Sequence, residues 1–190
     1  NSGNTSNFEN VWGSARADTL TGDANNNVII GANGADTLNG GAGDDTLWGD
    51  CSQTACHNSV DFALYYFQIS TSVVSTNDTL NGGAGDDIID LTADNSGRDT
   101  VAYHIGQDGN DTILGFRAVK SDDVESDIMR FDGVVDANEL AEEIANITFV
   151  ENGGYEENAI DGNTVDLTIN FQNGGSITFA DFMAIDTDVE

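Results

Sequence analysis

Proline is absent from this 190-residue chain, and basic residues are scarce: Arg16, Arg98, Arg117, Lys120 and Arg130 face 34 Asp and Glu, giving a formal net charge of −29. Without proline, slow X-Pro isomerisation drops out of folding. With so few cations, a nucleic-acid surface is excluded, because phosphate binding rests on clustered Lys and Arg. An anionic membrane surface is excluded by the same sign. Self-repulsion at this charge opposes compaction until something cationic neutralises it. No apolar run approaches the roughly 18 residues of a membrane-spanning helix, so direct membrane insertion is not expected. The start NSGNTSNFEN has neither a basic nor an apolar segment of the kind that marks an N-terminal signal peptide, so none is expected. His57 and His104 are the two histidines, and no GxSxG, HExxH or phosphate-loop motif is present, so intrinsic catalysis is not expected. Two cysteines, Cys51 and Cys56, stand in a polar stretch. A disulfide is the leading reading in an oxidising compartment; a zinc site with His57 lacks a nameable fourth ligand.

What is abundant is glycine and aspartate in a repeating order. From Gly13 the chain reads GSARADTLT, GDANNNVII, GANGADTLN and GGAGDDTLW without a gap to residue 48. The register returns at 73–81 (VVSTNDTLN) and 82–90 (GGAGDDIID), and after three-residue insertions at 94–102 (DNSGRDTVA) and 106–114 (GQDGNDTIL). The sixth position is an acid or its amide, and the eighth is aliphatic in all eight units. Glycine at positions 1, 2 and 4 permits a tight turn with carbonyls pointing inward. Thr, Leu, Val and Ile at positions 7 to 9 suit a short strand whose eighth residue faces a core. Two units then form one coil of about 18 residues, and stacked coils align carboxylates and carbonyls in columns, an oxygen environment suited to calcium. A flexible linker would have no reason to keep an aliphatic residue at every eighth position.

These nonapeptides resemble the RTX (repeats-in-toxin) calcium-binding β-roll family, with consensus GGxGxDxUx. The resemblance implies an all-β fold: a parallel β-roll with a C-terminal β-rich capping unit containing one short helix. It also implies several Ca2+ ions between stacked turns, held by positions 1, 3 and 5 of one turn and 2, 4 and 6 of the next. Carried onto this chain, that set is Asp18, Gly31, Asn33, Gly34, Asp36, Gly40, Gly41, Ala42, Gly43, Asp44 and Asp45 in the first run. The second run supplies Asp78, Gly82, Gly83, Ala84, Gly85, Asp86, Asp87, Asp99, Gly106, Asp108, Gly109 and Asp111. Asn27 stands where the family has Asp, which weakens a site there unless Asp23 compensates.

The organisation expected is a lead-in at 1–12, a roll at 13–115 and a C-terminal unit at 116–190. The run 49–72 breaks the register and holds the most apolar stretch, from Phe62 to Ile69, read as an excursion packed on the roll or as a ligand-binding loop. In the last unit DANELAEEIANI reads as a helix capped by Asp136, with Glu139 completing a capping box. NTVDLTINF alternates as a strand with Val165, Leu167, Ile169 and Phe171 on one face, and turns at Asn173–Gly175 into a second strand from Ser176. This order resembles the C-terminal part of proteins exported by type I secretion, most like giant bacterial adhesins. It implies a secreted, extracellular or surface-attached, monomeric module with the export machinery and upstream domains as partners. The alternatives are an accessory domain of a secreted hydrolase or polysaccharide epimerase, or an ice- or glycan-binding module. Positions 3 and 5 lack the regular Thr/Asn array that ice binding would want.

Overall fold

The structure, a computed structural model, describes residues 10–50, 77–92, 97–117, 126–151 and 164–183. Aliphatic and β-branched residues at the ends of the nonapeptides form short strands. One set is β1 (Asn10–Trp12), β3 (Val28–Ala32), β5 (Thr46–Asp50), β7 (Ile88–Asp90) and β9 (Asn110–Leu114); the other is β2 (Thr19–Thr21), β4 (Thr37–Ala42), β6 (Thr79–Ala84), β8 (Thr100–His104) and β10 (Ile128–Asp132). Each set pairs in parallel, in the orders β1-β3-β5-β7-β9 and β10-β8-β6-β4-β2, so consecutive strands alternate between two sheets. This is the β-roll that the repeat implies.

The eighth positions set the register. Leu20, Leu38, Leu80 and Val101 stand opposite one another along the second sheet and continue to Met129. Ile29, Leu47, Ile89 and Ile113 do so along the first and continue to Phe179. Seven of the eight position-8 residues are buried, and Leu20 packs partly buried against them. Each fully buried aliphatic side chain contributes about 2 kcal/mol relative to exposure. Such a core holds only while the turns on either side stay stacked.

C-terminal to the roll, α1 (Ala137–Glu143) is capped by Asp136, whose carboxylate accepts from the N–H groups of Asn138 and Glu139. Glu139 reaches back to the Val135 N–H. The helix ends at Glu143, short of the segment read as helical. Ile144–Glu151 is instead strand β11, because its β-branched residues pair antiparallel with β12 (Thr164–Phe171). After a turn at Asn173–Gly175, β13 (Ser176–Met183) pairs with β12 and, on its other side, in parallel with β9. The first sheet therefore runs on as β9-β13-β12-β11. Phe171, Ile177 and Phe179 join the roll's core, with Tyr103 and Phe171 stacked at 5.2 Å and Phe116 edge-on to Phe179 at 4.9 Å. Gly49 and Asp50, the start of the expected excursion, still belong to β5, with Asp50 opposite Ala32. The rest of 49–72 and the Cys51–Cys56 pairing lie outside the described residues.

Candidate metal site

The sixth-position side chains form two ladders. Along one edge, the backbone N–H of Asp18 donates to Asp36 Oδ1 at 2.8 Å, Asp36 to Asp78 at 2.7 Å, Asp78 to Asp99 at 2.9 Å and Asp99 to Asp127 at 3.1 Å. Along the other, Asn27 donates to Asp45 and Asp45 to Asp87, both at 2.7 Å, and Asp87 to Asp111 at 3.2 Å. Every rung thus binds the coil before it through one carboxylate oxygen. The second oxygen is where the rungs differ.

In the interior rungs Asp36, Asp45, Asp78 and Asp87, Oδ2 is buried with no hydrogen-bond partner. Each lies beside a glycine whose missing side chain leaves the room. A Cβ on Gly31 would overlap Asp36 Oδ2 and the Gly49 carbonyl, and one on Gly40 would overlap Asp45 Oδ2 and the Gly82 carbonyl; one on Gly49 or Gly82 would overlap Oδ2 of Asp78 or Asp87. Carboxylate oxygen and stacked-turn carbonyl therefore converge on one space. Burial pushes Asp36, Asp45 and Asp87 up to about 6 and Asp78 up to about 8, with hydrogen bonds from the preceding coil opposing and neighbouring carboxylates adding to the rise. Asp111 is likewise pushed up to about 8 by burial and by Asp87. Buried carboxylates with an orphaned oxygen are costly unless a proton or cation meets them. The orphaned oxygens and the carbonyl-rich cradle fit a hard, oxygen-seeking cation such as Ca2+. Among the described residues no three His, Cys, Asp or Glu side chains gather around one point. Backbone carbonyls must therefore supply most of any coordination shell.

Backbone conformation accounts for three of the four orphaned oxygens, those of Asp36, Asp45 and Asp87. At position 2, Ala32, Gly41 and Gly83 have φ of +82°, +110° and +99°. In the first two turns that position is Ser14 and Asp23, which are outside the positive-φ set. There the N–H of Ser14 donates to Asp18 Oδ2 at 2.7 Å, joined by its hydroxyl at 2.8 Å, and the N–H of Asp23 donates to Asn27 Oδ1 at 2.8 Å. Those turns satisfy their own sixth residue. Asp23 does not turn its Oδ1 toward a site at Asn27; that oxygen accepts from Asn25.

The other sequence-assigned residues fall into clear places. Gly34, Gly43 and Gly85 take φ of +121°, +104° and +143° at the tips of stacked turns. Asn33, Ala42 and Ala84 lie between them, with Asn33 N–H bonded to the Ser14 carbonyl and Ala42 N–H to that of Asp23. Asp44 and Asp86 are exposed, and their carboxylates accept from the N–H of Asp86 and Asn110 one coil on. Their side chains form an outer ladder, leaving carbonyls for any site. In the last turn, which Gly106 opens, Asp108 Oδ2 accepts from His104 N–H at 2.6 Å, and the Gly109 carbonyl is taken by the Tyr103 hydroxyl and the Ser176 N–H. Three residues outside the sequence-derived set complete the picture: Ser14, Asp127 and Arg117. Asp127 heads Ile128 and Met129 as positions 6 to 8 of a ninth, glycine-poor unit. The D-I-M order was the signal available.

Comparisons with known proteins agree with this geometry. The family described as RTX calcium-binding nonapeptide repeat (4 copies) matches residues 9–50 and 75–101. No curated relative matches the chain. Among solved structures, the solution structure of the AlgE6R3 subunit from the Azotobacter vinelandii mannuronan C5-epimerase is similar over 88% of this chain and 72% of that one, at 17% identity and a TM-score of 0.25. Residues 9–50 and 75–101 thus match the RTX calcium-binding nonapeptide repeat family, and the chain that carries them folds as a parallel β-roll of the kind those repeats imply.

Proposed function

We propose that the chain is a calcium-folded module of a larger exported protein, in which the roll at 13–115 is the switch and 116–190 is its cap and export segment. The observation that carries the reading is the set of buried Oδ2 atoms of Asp36, Asp45, Asp78 and Asp87 with no hydrogen-bond partner, each against a glycine, with a stacked glycine carbonyl beside those of Asp36 and Asp45. Those carboxylates, with carbonyls from Gly31, Asn33, Gly40, Ala42, Gly82 and Ala84, would hold the ions. Bound calcium supplies the positive charge that lets the carboxylates remain ionised while buried. Each site filled at about 100 times its dissociation constant adds about 2.7 kcal/mol to folding. Where free calcium is low, the same carboxylates repel, and the chain stays open enough to thread through a type I channel. Outside the cell the module folds and is held there. Its role is structural, and chemistry, where present, belongs to other domains of the parent.

The C-terminal unit supports the capping part of the reading. A stacked solenoid exposes its core and an open strand edge at its end. Here β13 lies on that edge against β9 and buries Phe179 over the column that ends at Ile113. Truncation after Gly115 is the test. The shortened chain should need more calcium to fold, associate, and fail to leave the cell through a type I system. A truncated chain that folds at unchanged calcium, stays monomeric and is exported would overturn both assignments.

A further inference from the structure

One of the five basic residues is spent at a position that a chain this acidic would otherwise leave to an ion. Arg117 donates its backbone N–H to Asp127 Oδ2 at 2.8 Å, and its guanidinium contacts Asp127 Oδ1 at 3.1 Å and the carbonyl of Gly97. The Asp127 side chain is fully buried, and that of Arg117 is 30% exposed. Asp127 is the last rung of the first aspartate ladder, accepting also from the Asp99 N–H. Gly97 is the fourth position of the turn that precedes it. The guanidinium therefore bridges a turn carbonyl of one coil to the sixth-position carboxylate of the next. In the interior coils Oδ2 has no donor; at Asp127 it takes the Arg117 backbone N–H, while the guanidinium adds a positive charge on Oδ1 and the Gly97 carbonyl.

We infer that Arg117 is a tethered cation that closes this ladder, so that the space between the turns of Asp99 and Asp127 is filled by the guanidinium and takes no calcium. A planar guanidinium can serve a carbonyl and a carboxylate at once. The first rung is closed without an ion by a different device, the Ser14 N–H and hydroxyl on Asp18. Arg117 makes the last coil the counterpart of the first. A guanidinium does not lose its proton under ordinary conditions, so the pair stays formed at any calcium level.

This inference rests on the calcium reading above, and the experiment separates the two. Native mass spectrometry of the full chain at saturating calcium counts the ions, and far-UV circular dichroism gives the calcium midpoint of folding. Arg117→Ala keeps the backbone N–H on Oδ2 but removes the guanidinium from Oδ1 and the Gly97 carbonyl, so it should bind one more ion there than the wild type and fold with a midpoint roughly threefold higher. Arg117→Lys should keep the wild-type count, and the double variant Arg117→Ala/Asp127→Asn, which removes both charges, should return to it. Were Arg117→Ala unable to fold, recovery in the double variant would still support a charge-neutralising role, and failure of both would overturn it. An unchanged count and midpoint in a folded Arg117→Ala would overturn the assignment of Arg117 alone. A wild-type chain that binds no calcium would overturn the underlying reading instead.

Discussion

The interior turns and the end turns of this roll use the same sixth-position side chain for opposite purposes. In the turns of Asp36, Asp45 and Asp87, left-handed backbone at position 2 carries the local N–H away, and one oxygen of a buried carboxylate is left bare. In the turns of Asp18 and Asn27, an ordinary residue at position 2 donates that N–H, and in the turn of Asp127 the donor is Arg117. In the last turn of the other ladder the Gly109 carbonyl is occupied by Tyr103 of β8 and by Ser176 of the C-terminal unit. Demand for a cation is thus a property of backbone conformation as much as of charge. The first turn of each ladder and the last turn of the Asp127 ladder are self-sufficient, and the middle of the stack is not.

The largest expected effect comes from acid, because it acts on several interior carboxylates together. Asp36, Asp45 and Asp87 are raised to about 6, and Asp78 and Asp111 to about 8, from a usual value of 3.8. Raised values mean that the folded roll holds these protons more tightly than the unfolded chain does. Their contribution to the calcium-free fold is fully present below 3.8 and is lost as pH rises through 6 and then 8. Circular dichroism in chelator should accordingly show β structure growing as pH falls from about 8 to about 5. Identical spectra at both values would break the contrast.

Next in size, Asp45→Ala combined with Asp87→Ala should raise the calcium midpoint by about two orders of magnitude, since two interior ligands go. Asp18→Ala, at a self-satisfied turn, should cost no more than about 1 kcal/mol and leave the midpoint nearly unchanged. Glu142→Gln on the exposed side of α1 serves as the neutral control. Equal midpoints for the interior pair and Asp18→Ala would erase the distinction. Gly41→Ala follows, at about 2 kcal/mol by chemical denaturation in calcium, because φ is +110° and the added Cβ would overlap the Asp23 carbonyl. Gly174→Ala, at φ +93° with open space around it, should cost about half as much. The smallest effect runs the other way. Ala32 already sits at φ +82°, so Ala32→Gly should stabilise the calcium-bound roll by up to about 1 kcal/mol.

The roll itself was legible because two constraints repeat together. An aliphatic eighth residue and a carboxylate or amide sixth residue, nine apart, define strand, core and turn from Leu20 to Ile113 without reference to tertiary contacts. The glycines named the turns, yet the ladder of carboxylates onto backbone N–H groups of the next coil could not be read, since it depends on stacking 18 or more residues away. Asp127 was missed because its turn shed the glycine signature while keeping only the strand half of the pattern. Helix α1 was placed by its cap, and its end was overrun: the segment from Ile144 to Ile147 carries helical spacing in sequence, and pairing with β12 decides it. The hairpin of β12 and β13 was visible as alternation. That β13 would lie parallel to β9 was not, because which edge a hairpin joins is set by the open end of the roll.

A calcium titration of the full chain at neutral pH, starting in excess chelator and followed by far-UV circular dichroism, tests the central claim most directly. The account predicts a chain that is largely unfolded in chelator and gains β structure in one cooperative step as calcium reaches the millimolar range. Magnesium should fail to replace calcium, because it prefers a strict octahedron and keeps its waters. The same β-rich spectrum with and without chelator would contradict it.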